Sequence, residues 1–223
     1  MSVFGTLTGE HSRPLDRENE WDGVPCGEMN FFQKVAGRTD GWLTPGNLLS
    51  VGGAALTVSG LLDYNAGHRI KGVVKVFGGR LCDIGDGWAA KRTKTRSAKG
   101  AVLDAGFDKY STVAATIALH NDGITPRESI GMTALQIDIV RSSIAIDAEG
   151  GRPDPNAIGK IGMFATWCWI GSTMAQTASQ EASAEKLNSV FTDLRRAFQP
   201  VAFGLTAHTS LDYHRRLSQV RKS

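Results

Sequence analysis

Four aspartates lie in the segment from Asp83 to Asp108, in two pairs with helical spacing. Asp83 and Asp86 are three residues apart, and Asp104 and Asp108 are four apart, so each pair shares one face of a helix. Hard divalent cations such as Mg²⁺ and Mn²⁺ prefer oxygen ligands, which carboxylates supply. The spacing therefore predicts a metal site formed by two helices.

Small residues are set among these carboxylates. Gly87 and Ala90 follow the first pair, and Gly100 begins a stripe that continues through Asp104 and Asp108 at intervals of four. A soluble helical bundle would give the aspartates solvated faces, but it would not explain the glycines and the alanine between them.

A calcium-binding loop of the EF-hand type does not fit this segment. Counted from Asp83, Gly85 falls where an oxygen ligand is needed, and Lys94 falls where the terminal glutamate should stand. The three cysteines, Cys26, Cys82 and Cys168, are far apart and have no CxxC spacing, so neither a disulfide framework nor a zinc site is predicted.

The length of 223 residues predicts one domain or one compact bundle. The net charge of +3 is small, and its distribution along the chain is uneven. We expect no nucleic-acid partner. Basic residues cluster between the two aspartate pairs, at 91–99, and again at the C-terminus. The first forty residues are polar and interrupted by prolines, so we expect no secretory signal there.

Two long segments carry no charge, residues 41–62 and 161–180. Each is long enough to cross a hydrocarbon core of about 30 Å, which needs ~20 helical residues. Both are rich in the small residues that let membrane helices pack closely. The mean hydropathy of the chain is only −0.17, and a buried helix of a soluble protein remains an alternative for each segment.

The helical patterns predict an all-α integral membrane bundle of six transmembrane helices, preceded by a polar leader at 1–43. The membrane domain would cover 44–216, and a basic tail 217–223. The end of the leader, from Phe31 to Trp42, could form an amphipathic helix at the membrane interface. The six helices are expected at about 45–62, 70–92, 100–120, 127–147, 157–180 and 188–214.

Six spans would place both termini on one side of the membrane. The basic segment 91–99, the loop with Arg152 and Lys160, and the basic C-terminus would share that side. The positive-inside rule then predicts that the carboxylates face the cytoplasm, in a plasma (inner) membrane.

The aspartates and the residues between them resemble a known signature. The order Asp83-x2-Asp86-Gly87-x2-Ala90-Lys91-x8-Gly100-x3-Asp104-x3-Asp108 is similar to that of the CDP-alcohol phosphatidyltransferases, integral membrane enzymes of phospholipid synthesis. One position differs, because the family usually has arginine where this chain has Lys91. Weaker similarities on both sides extend the resemblance over about 44–214.

The resemblance implies a site with two divalent cations, Mg²⁺ or Mn²⁺. Asp83, Asp86 and Asp104 would bind metal, while Asp108 would both approach the metal site and act as the general base. Gly100 would also let the helix over 100–120 approach the helix over 70–92. The residues implied in nucleotide binding are Gly87, Ala90, Lys91, Ser97 and Gly100.

The resemblance also implies the reaction and the partners. A CDP-linked lipid, such as CDP-diacylglycerol, would donate a phosphatidyl group to a hydroxyl acceptor within a membrane, with release of CMP, and the enzyme would be a homodimer. Arg141, Arg152 and Lys160 are candidates for binding a phosphate on the acceptor, which favours glycerol 3-phosphate or inositol phosphate. Another alcohol as acceptor, or a non-catalytic membrane protein that binds nucleotide or divalent cations, remains an alternative.

Overall fold

The computed structural model describes residues 19–151 and 156–222, and within these ranges it contains seven α-helices and no strand. The helices are α1 (Phe31–Arg38), α2 (Pro45–Asn65), α3 (Arg69–Thr93), α4 (Ala98–Asp122), α5 (Pro126–Ala148), α6 (Ala157–Glu181) and α7 (Glu185–Val220). The all-helical class is confirmed. Helices α2 to α6 begin and end within a few residues of the predicted bounds, and α7 extends further at both ends.

The helix boundaries follow from ordinary capping chemistry. Asn30 and Gln33 form a reciprocal capping box at the start of α1. The side chain of Asn156 accepts a hydrogen bond from the backbone N–H of Gly159 (2.8 Å) and so caps α6. Gly123 directly after α4 and Gly150 after the C-cap residue of α5 have positive φ angles, which ends both helices.

One helix of the described part of the chain, α2, is long and apolar enough to cross a membrane by length and composition. The six-span arrangement remains a prediction. The second uncharged segment lies inside α6, which buries fourteen of its residues against the rest of the protein. Helix α1 confirms that the end of the leader is helical, with Phe31 and Phe32 exposed. Its contact with a membrane is still a prediction.

The chain forms two compact units, and α2, α3 and α4 each contribute residues to both. The first unit contains the described residues up to Gly52 together with Leu81–Gly106. Within it, Gly46 lets α2 approach α3, since a side chain there would lie 3.1 Å from the backbone oxygen of Asp86. The described part of the leader packs in this unit through Trp21, which is buried.

The second unit contains Gly53–Arg80 and the described residues from Phe107 onward. Glycines bring α2 and α3 close together in it, because a Cβ atom on Gly60 would lie 2.8 Å from the backbone oxygen of Gly72. The largest buried side chains of its core include Trp169, Tyr64 and Leu119. Helix α7 packs along α6 and α5, contains 36 residues, and accommodates Pro200 in its interior.

A buried carboxylate joins four elements of the second unit. Asp122, at the end of α4, has a fully buried side chain and pairs with the guanidinium of Arg69. The hydroxyls of Tyr64 and Thr177 each donate a hydrogen bond to it at 2.5 Å. Asp122 therefore links α4 with α2, α3 and α6.

Candidate functional site

Three of the four signature aspartates meet in the first unit. Asp83 and Asp86 on α3 and Asp104 on α4 each offer a carboxylate oxygen, and these oxygens lie within 4.8 Å of one another. Asp86 is 6% exposed, whereas Asp104 is exposed. A set of three carboxylates around one point suits a hard divalent cation, which would offset their mutual repulsion. We refer to these three residues as the carboxylate cluster.

The hydroxyl of Ser50 on α2 donates a hydrogen bond to the carboxylate of Asp86. Both side chains are buried, so this contact fixes the orientation of one cluster member. The sequence reasoning missed Ser50. A signal was present, because Asn47 and Ser50 are polar residues three apart on one face of a helix in which residues 45–62 carry no charge.

A cavity of about 210 Å³ adjoins the carboxylate cluster in the first unit. We call it the carboxylate pocket. Its walls contain backbone, hydroxyl, amide and charged groups from α2, α3, α4 and the loop between α3 and α4. The lining residues are Gly46, Asn47, Ser50, Asp86, Gly87, Ala90, Thr95, Arg96, Ser97, Gly100 and Asp104.

Four of the five residues predicted to bind nucleotide, Gly87, Ala90, Ser97 and Gly100, line this pocket. Gly87 borders open space, since a Cβ atom there would have no neighbour within 4 Å. The fifth residue, Lys91, is exposed in the last turn of α3 and is not part of the described lining. The contribution of these residues to nucleotide binding is still a prediction.

Gly100 permits a close contact, but with a different helix from the one expected. A Cβ atom on Gly100 would lie 2.5 Å from Oδ1 of Asn47, so the close approach is to α2, whereas the sequence predicted an approach to α3. The Asn47 amide also donates to the carbonyl oxygens of Gly41 (2.9 Å) and Trp42 (3.0 Å). The hydroxyl of Ser97 accepts a hydrogen bond from the backbone N–H of Gly100 at 2.9 Å.

The fourth signature aspartate belongs to the second unit. Asp108 follows Asp104 by one turn of α4, and its carboxylate pairs with the guanidinium of Arg80 at 2.9 Å. Arg80 in turn stacks on the indole ring of Trp167, with 4.3 Å between the guanidinium carbon and the ring centre. Arg80 was not predicted from the sequence. Metal binding and base catalysis by Asp108 both stay predictions.

Two of the three candidate acceptor-binding cations are on the surface of the second unit. Arg141 on α5 and Lys160 on α6 are exposed, whereas Arg152 lies outside the described residues. Ile137 and Ile144, which flank Arg141 at helical spacing, are exposed on the same face. Both described cations are therefore accessible to an anionic group.

Asp138 on α5 is a charge inside a helix that we predict to span the membrane. Ser210 on α7 donates a hydrogen bond to its carboxylate at 2.5 Å, and Nε2 of His214 lies 3.0 Å from the same oxygen. These contacts hold α5 against α7. The pairing of α5 with α7 is therefore a sufficient reason for a charged residue at this position, and we assign Asp138 no part in the reaction.

The described cluster and pocket fall within the part of the chain that matches a protein-family model. The model of the CDP-alcohol phosphatidyltransferase family matches residues 42–206. Searches of curated proteins and of solved structures find no match to this chain. Members of the family are membrane-associated and generally divalent-metal dependent, and they transfer a phosphatidyl group from a CDP-alcohol to an alcohol in phospholipid synthesis. The match covers most of the chain, so the protein belongs to the CDP-alcohol phosphatidyltransferase family and is a transferase of substituted phosphate groups.

Proposed function

We propose that the protein is an integral membrane enzyme that transfers a phosphatidyl group from CDP-diacylglycerol to the hydroxyl of an alcohol phosphate such as glycerol 3-phosphate. The observation that carries this proposal is the carboxylate cluster, three converging carboxylates beside a polar pocket. We further propose six spans, a homodimer, and a site that faces the cytoplasm of a plasma (inner) membrane.

The cation site would be formed by Asp83, Asp86 and Asp104, with Asp108 completing a site for two ions of Mg²⁺ or Mn²⁺. When bound, such ions neutralise charge on the phosphates and stabilise the leaving group. Ser50 contributes by fixing one carboxylate oxygen of Asp86. This arrangement keeps the ligand oxygens oriented before substrate arrives, which is the usual effect of a hydrogen bond to a metal-binding side chain.

The carboxylate pocket suits the CDP part of the donor. Gly87 leaves open space above α3, so a flat group can lie against the helix backbone. Asn47, Thr95 and Ser97 add polar side chains to the walls around this space, which suits a polar nucleotide.

The reaction would form one oxygen–phosphorus bond and break another. The acceptor hydroxyl attacks the β-phosphorus of the donor, its proton passes to the carboxylate of Asp108, and the bond to the leaving phosphate of CMP breaks. Arg80, stacked on Trp167, holds the Asp108 carboxylate in a defined orientation. A base must be positioned in this way before it can take a proton efficiently.

Cations would bind the acceptor phosphate. Arg141 and Lys160 are exposed and therefore accessible to an anion, and Arg152 would join them. Charge-assisted hydrogen bonds of this kind favour an alcohol that carries a phosphate over a neutral alcohol. Inositol phosphate is the alternative acceptor with the same chemistry.

An exposed apolar face along α3 supports the membrane and dimer assignments. Its large side chains recur at intervals of three and four residues, which places them along one side of the helix. They are Ile70, Val74, Phe77, Leu81, Ile84 and Trp88. An apolar face of this length suits lipid or a second copy of the chain.

The decisive experiment is acceptor-dependent CMP release by the detergent-purified protein. We expect release with CDP-diacylglycerol, Mg²⁺ or Mn²⁺, and an alcohol phosphate, and we expect Asp108→Asn to lower the rate by about 10²–10⁴-fold, the usual contribution of a general base. Asp147→Asn, a change at an exposed carboxylate at the end of α5, should leave the rate unchanged. Failure of every alcohol tested would contradict the transferase proposal and favour a binding protein.

A further inference from the structure

The α3–α4 loop, residues 94–97, needs support from outside itself. Three of its four residues, Thr95, Arg96 and Ser97, line the carboxylate pocket. The fourth, Lys94, has a φ angle of 54°, in the left-handed region that side chains with a Cβ atom rarely adopt. Such a conformation persists only where neighbouring groups hold it.

Part of that support comes from α1 in the leader. The side-chain amide of Asn30 donates to the carbonyl oxygen of Thr93 at 3.0 Å, and that of Gln33 donates to the carbonyl oxygen of Lys94 at 3.2 Å. The oxygens of the same two amides are occupied in the capping box of α1, each with a backbone N–H at 2.9 Å. Two side chains therefore cap the helix with their oxygens and hold the loop with their nitrogens.

A second set of contacts fixes Arg96 and Ser97. The backbone N–H of Glu20 donates to the carbonyl oxygen of Arg96 at 3.0 Å, and its carboxylate accepts from the N–H of Arg96 at 3.1 Å. The hydroxyl of Ser97 lies 3.3 Å from the carbonyl oxygen of Gly41, to which it donates. Trp21, which is buried, packs close to Gly41 beneath these contacts.

Arg96 differs chemically from the rest of the pocket. Among the described lining residues it is the one arginine or lysine, and it shares the pocket with the carboxylates of Asp86 and Asp104. A diphosphate bound there would need positive charge, and a guanidinium can donate two hydrogen bonds to one phosphate group. Lys91, the signature position, is exposed and does not contribute to the described lining.

We infer that four residues that precede the family match, Glu20, Asn30, Gln33 and Gly41, support the donor site. They hold the α3–α4 loop so that Arg96 binds the diphosphate of the CDP-linked donor and Ser97 stands beside the nucleotide. The inference rests on the proposed function for the identity of the ligand. The docking of the leader on the loop can be tested separately from activity.

The variant Asn30→Asp with Gln33→Glu separates the two roles of these side chains. It retains both oxygens, and therefore the capping box, but removes both amide donors to the loop. Lys34→Glu is the matched control, because it also lowers the charge of α1 by two, at an exposed position on the same helix. Circular dichroism should show equal helix content in all three proteins.

We expect the double variant to raise KM for the CDP-linked donor by about tenfold, with kcat and the acceptor KM changed by less than about twofold. Hydrogen exchange at residues 94–100 should become about tenfold faster, because the loop loses its support. Lys34→Glu should change neither quantity. Unchanged exchange and unchanged donor KM in the double variant would overturn the inference.

A separate variant tests the guanidinium itself. Arg96→Gln should raise the donor KM by about tenfold and weaken inhibition by CMP, while the exchange of residues 94–100 stays as in the wild type. An unchanged KM for the donor would show that Arg96 does not bind the donor. If the wild-type protein released no CMP at all, the proposed function would fail, and the exchange comparison would still decide whether the leader holds the loop.

Discussion

Ser50 on α2 donates a hydrogen bond to Asp86 on α3, and both side chains are buried. The first predicted spanning helix thus contributes a polar group to a carboxylate cluster that the signature assigns to α3 and α4 alone. A hydrogen bond from a neighbouring side chain to a metal-binding carboxylate orients that carboxylate and raises the affinity of the site for the ion.

Ser50→Ala should weaken metal binding without removing a ligand. We expect the Mg²⁺ or Mn²⁺ concentration that gives half-maximal CMP release to rise about ten- to a hundredfold, with the rate largely restored at saturating metal. The reason is that Asp86 loses the group that holds its orientation. Titration of the metal at fixed substrate concentrations measures this effect.

Thr57→Val is the matched control for that experiment. Thr57 is also a buried hydroxyl residue of α2, two turns further along the helix and in the second unit. Its replacement should leave the metal dependence as in the wild type. Equal metal dependence in Ser50→Ala and the wild type would show that the hydroxyl does not support the site.

Replacement of Gly79 and of Gly85 on α3 by alanine should change the stability of the protein in opposite directions. A Cβ atom on Gly79 would lie 2.6 Å from the backbone oxygen of Gly53, whereas one on Gly85 would meet nothing within 4 Å. Gly79→Ala should therefore destabilise the protein by about 1–3 kcal/mol through overpacking. Gly85→Ala should stabilise it by roughly 0.5–1 kcal/mol, because glycine is a poor helix former.

Unfolding midpoints in detergent measure this pair of changes. The two variants introduce the same methyl group on the same helix, so differences in detergent binding should cancel. A Gly79→Ala variant as stable as Gly85→Ala would contradict the close approach of α2 and α3 in the second unit.

Asp122→Asn should be the most destabilising conservative change in the second unit. The carboxylate is fully buried and pairs with Arg69, whose side chain is 30% exposed, so its neutralisation leaves a partly solvated cation without its partner, at a cost of about 1–3 kcal/mol. Tyr64 and Thr177 would keep an oxygen acceptor but lose the stronger, charged one. Thermal unfolding in detergent measures the loss.

The double variant Arg69→Met with Asp122→Asn checks the cause. Removal of the guanidinium also removes the uncompensated charge, so we expect the double variant to be more stable than Asp122→Asn alone. A strictly additive loss in the two changes would instead show that the pair contributes no coupling energy.

The proposed topology predicts which side of the membrane Cys26 occupies. Cys26 is exposed, while Cys82 and Cys168 are partly buried. In a Cys82→Ser, Cys168→Ser background, a membrane-impermeant maleimide should label Cys26 only after the cells are permeabilised, because six spans put the leader inside. The substitution Asn121→Cys, at an exposed position in the last turn of α4, should be labelled in intact cells. Labelling of Cys26 in intact cells would exclude this topology.

Local sequence signals were sufficient to predict the helices. Thr44-Pro45 before α2 and Asn121-Asp122-Gly123 after α4 carry the chemistry that starts and ends helices, and that chemistry acts over a few residues. The meeting of Asp83, Asp86 and Asp104 was predictable for the same reason, since two pairs at helical spacing need only the contact of two helices.

Local sequence signals could not predict which side chains of neighbouring helices contact each other. The pairing of Arg80 with Asp108 and the approach of Gly100 to Asn47 depend on how helices rotate and slide against one another, which no spacing along the chain encodes. The same holds for the leader. Its composition predicted a polar leader with an amphipathic helix at the membrane interface, but not that Gln33 is buried against the loop that lines the carboxylate pocket.

Helix α7 is longer than the hydrocarbon core of a bilayer is thick. Its 36 residues extend over about 54 Å at 1.5 Å per residue, whereas the hydrocarbon core is about 30 Å thick. In the six-span arrangement that we propose, several turns of this helix must therefore stand clear of the lipid tails. Its final turns carry Arg215 and Arg216. This cationic end of the helix would interact with anionic lipid headgroups and so hold the helix at a fixed depth in the membrane.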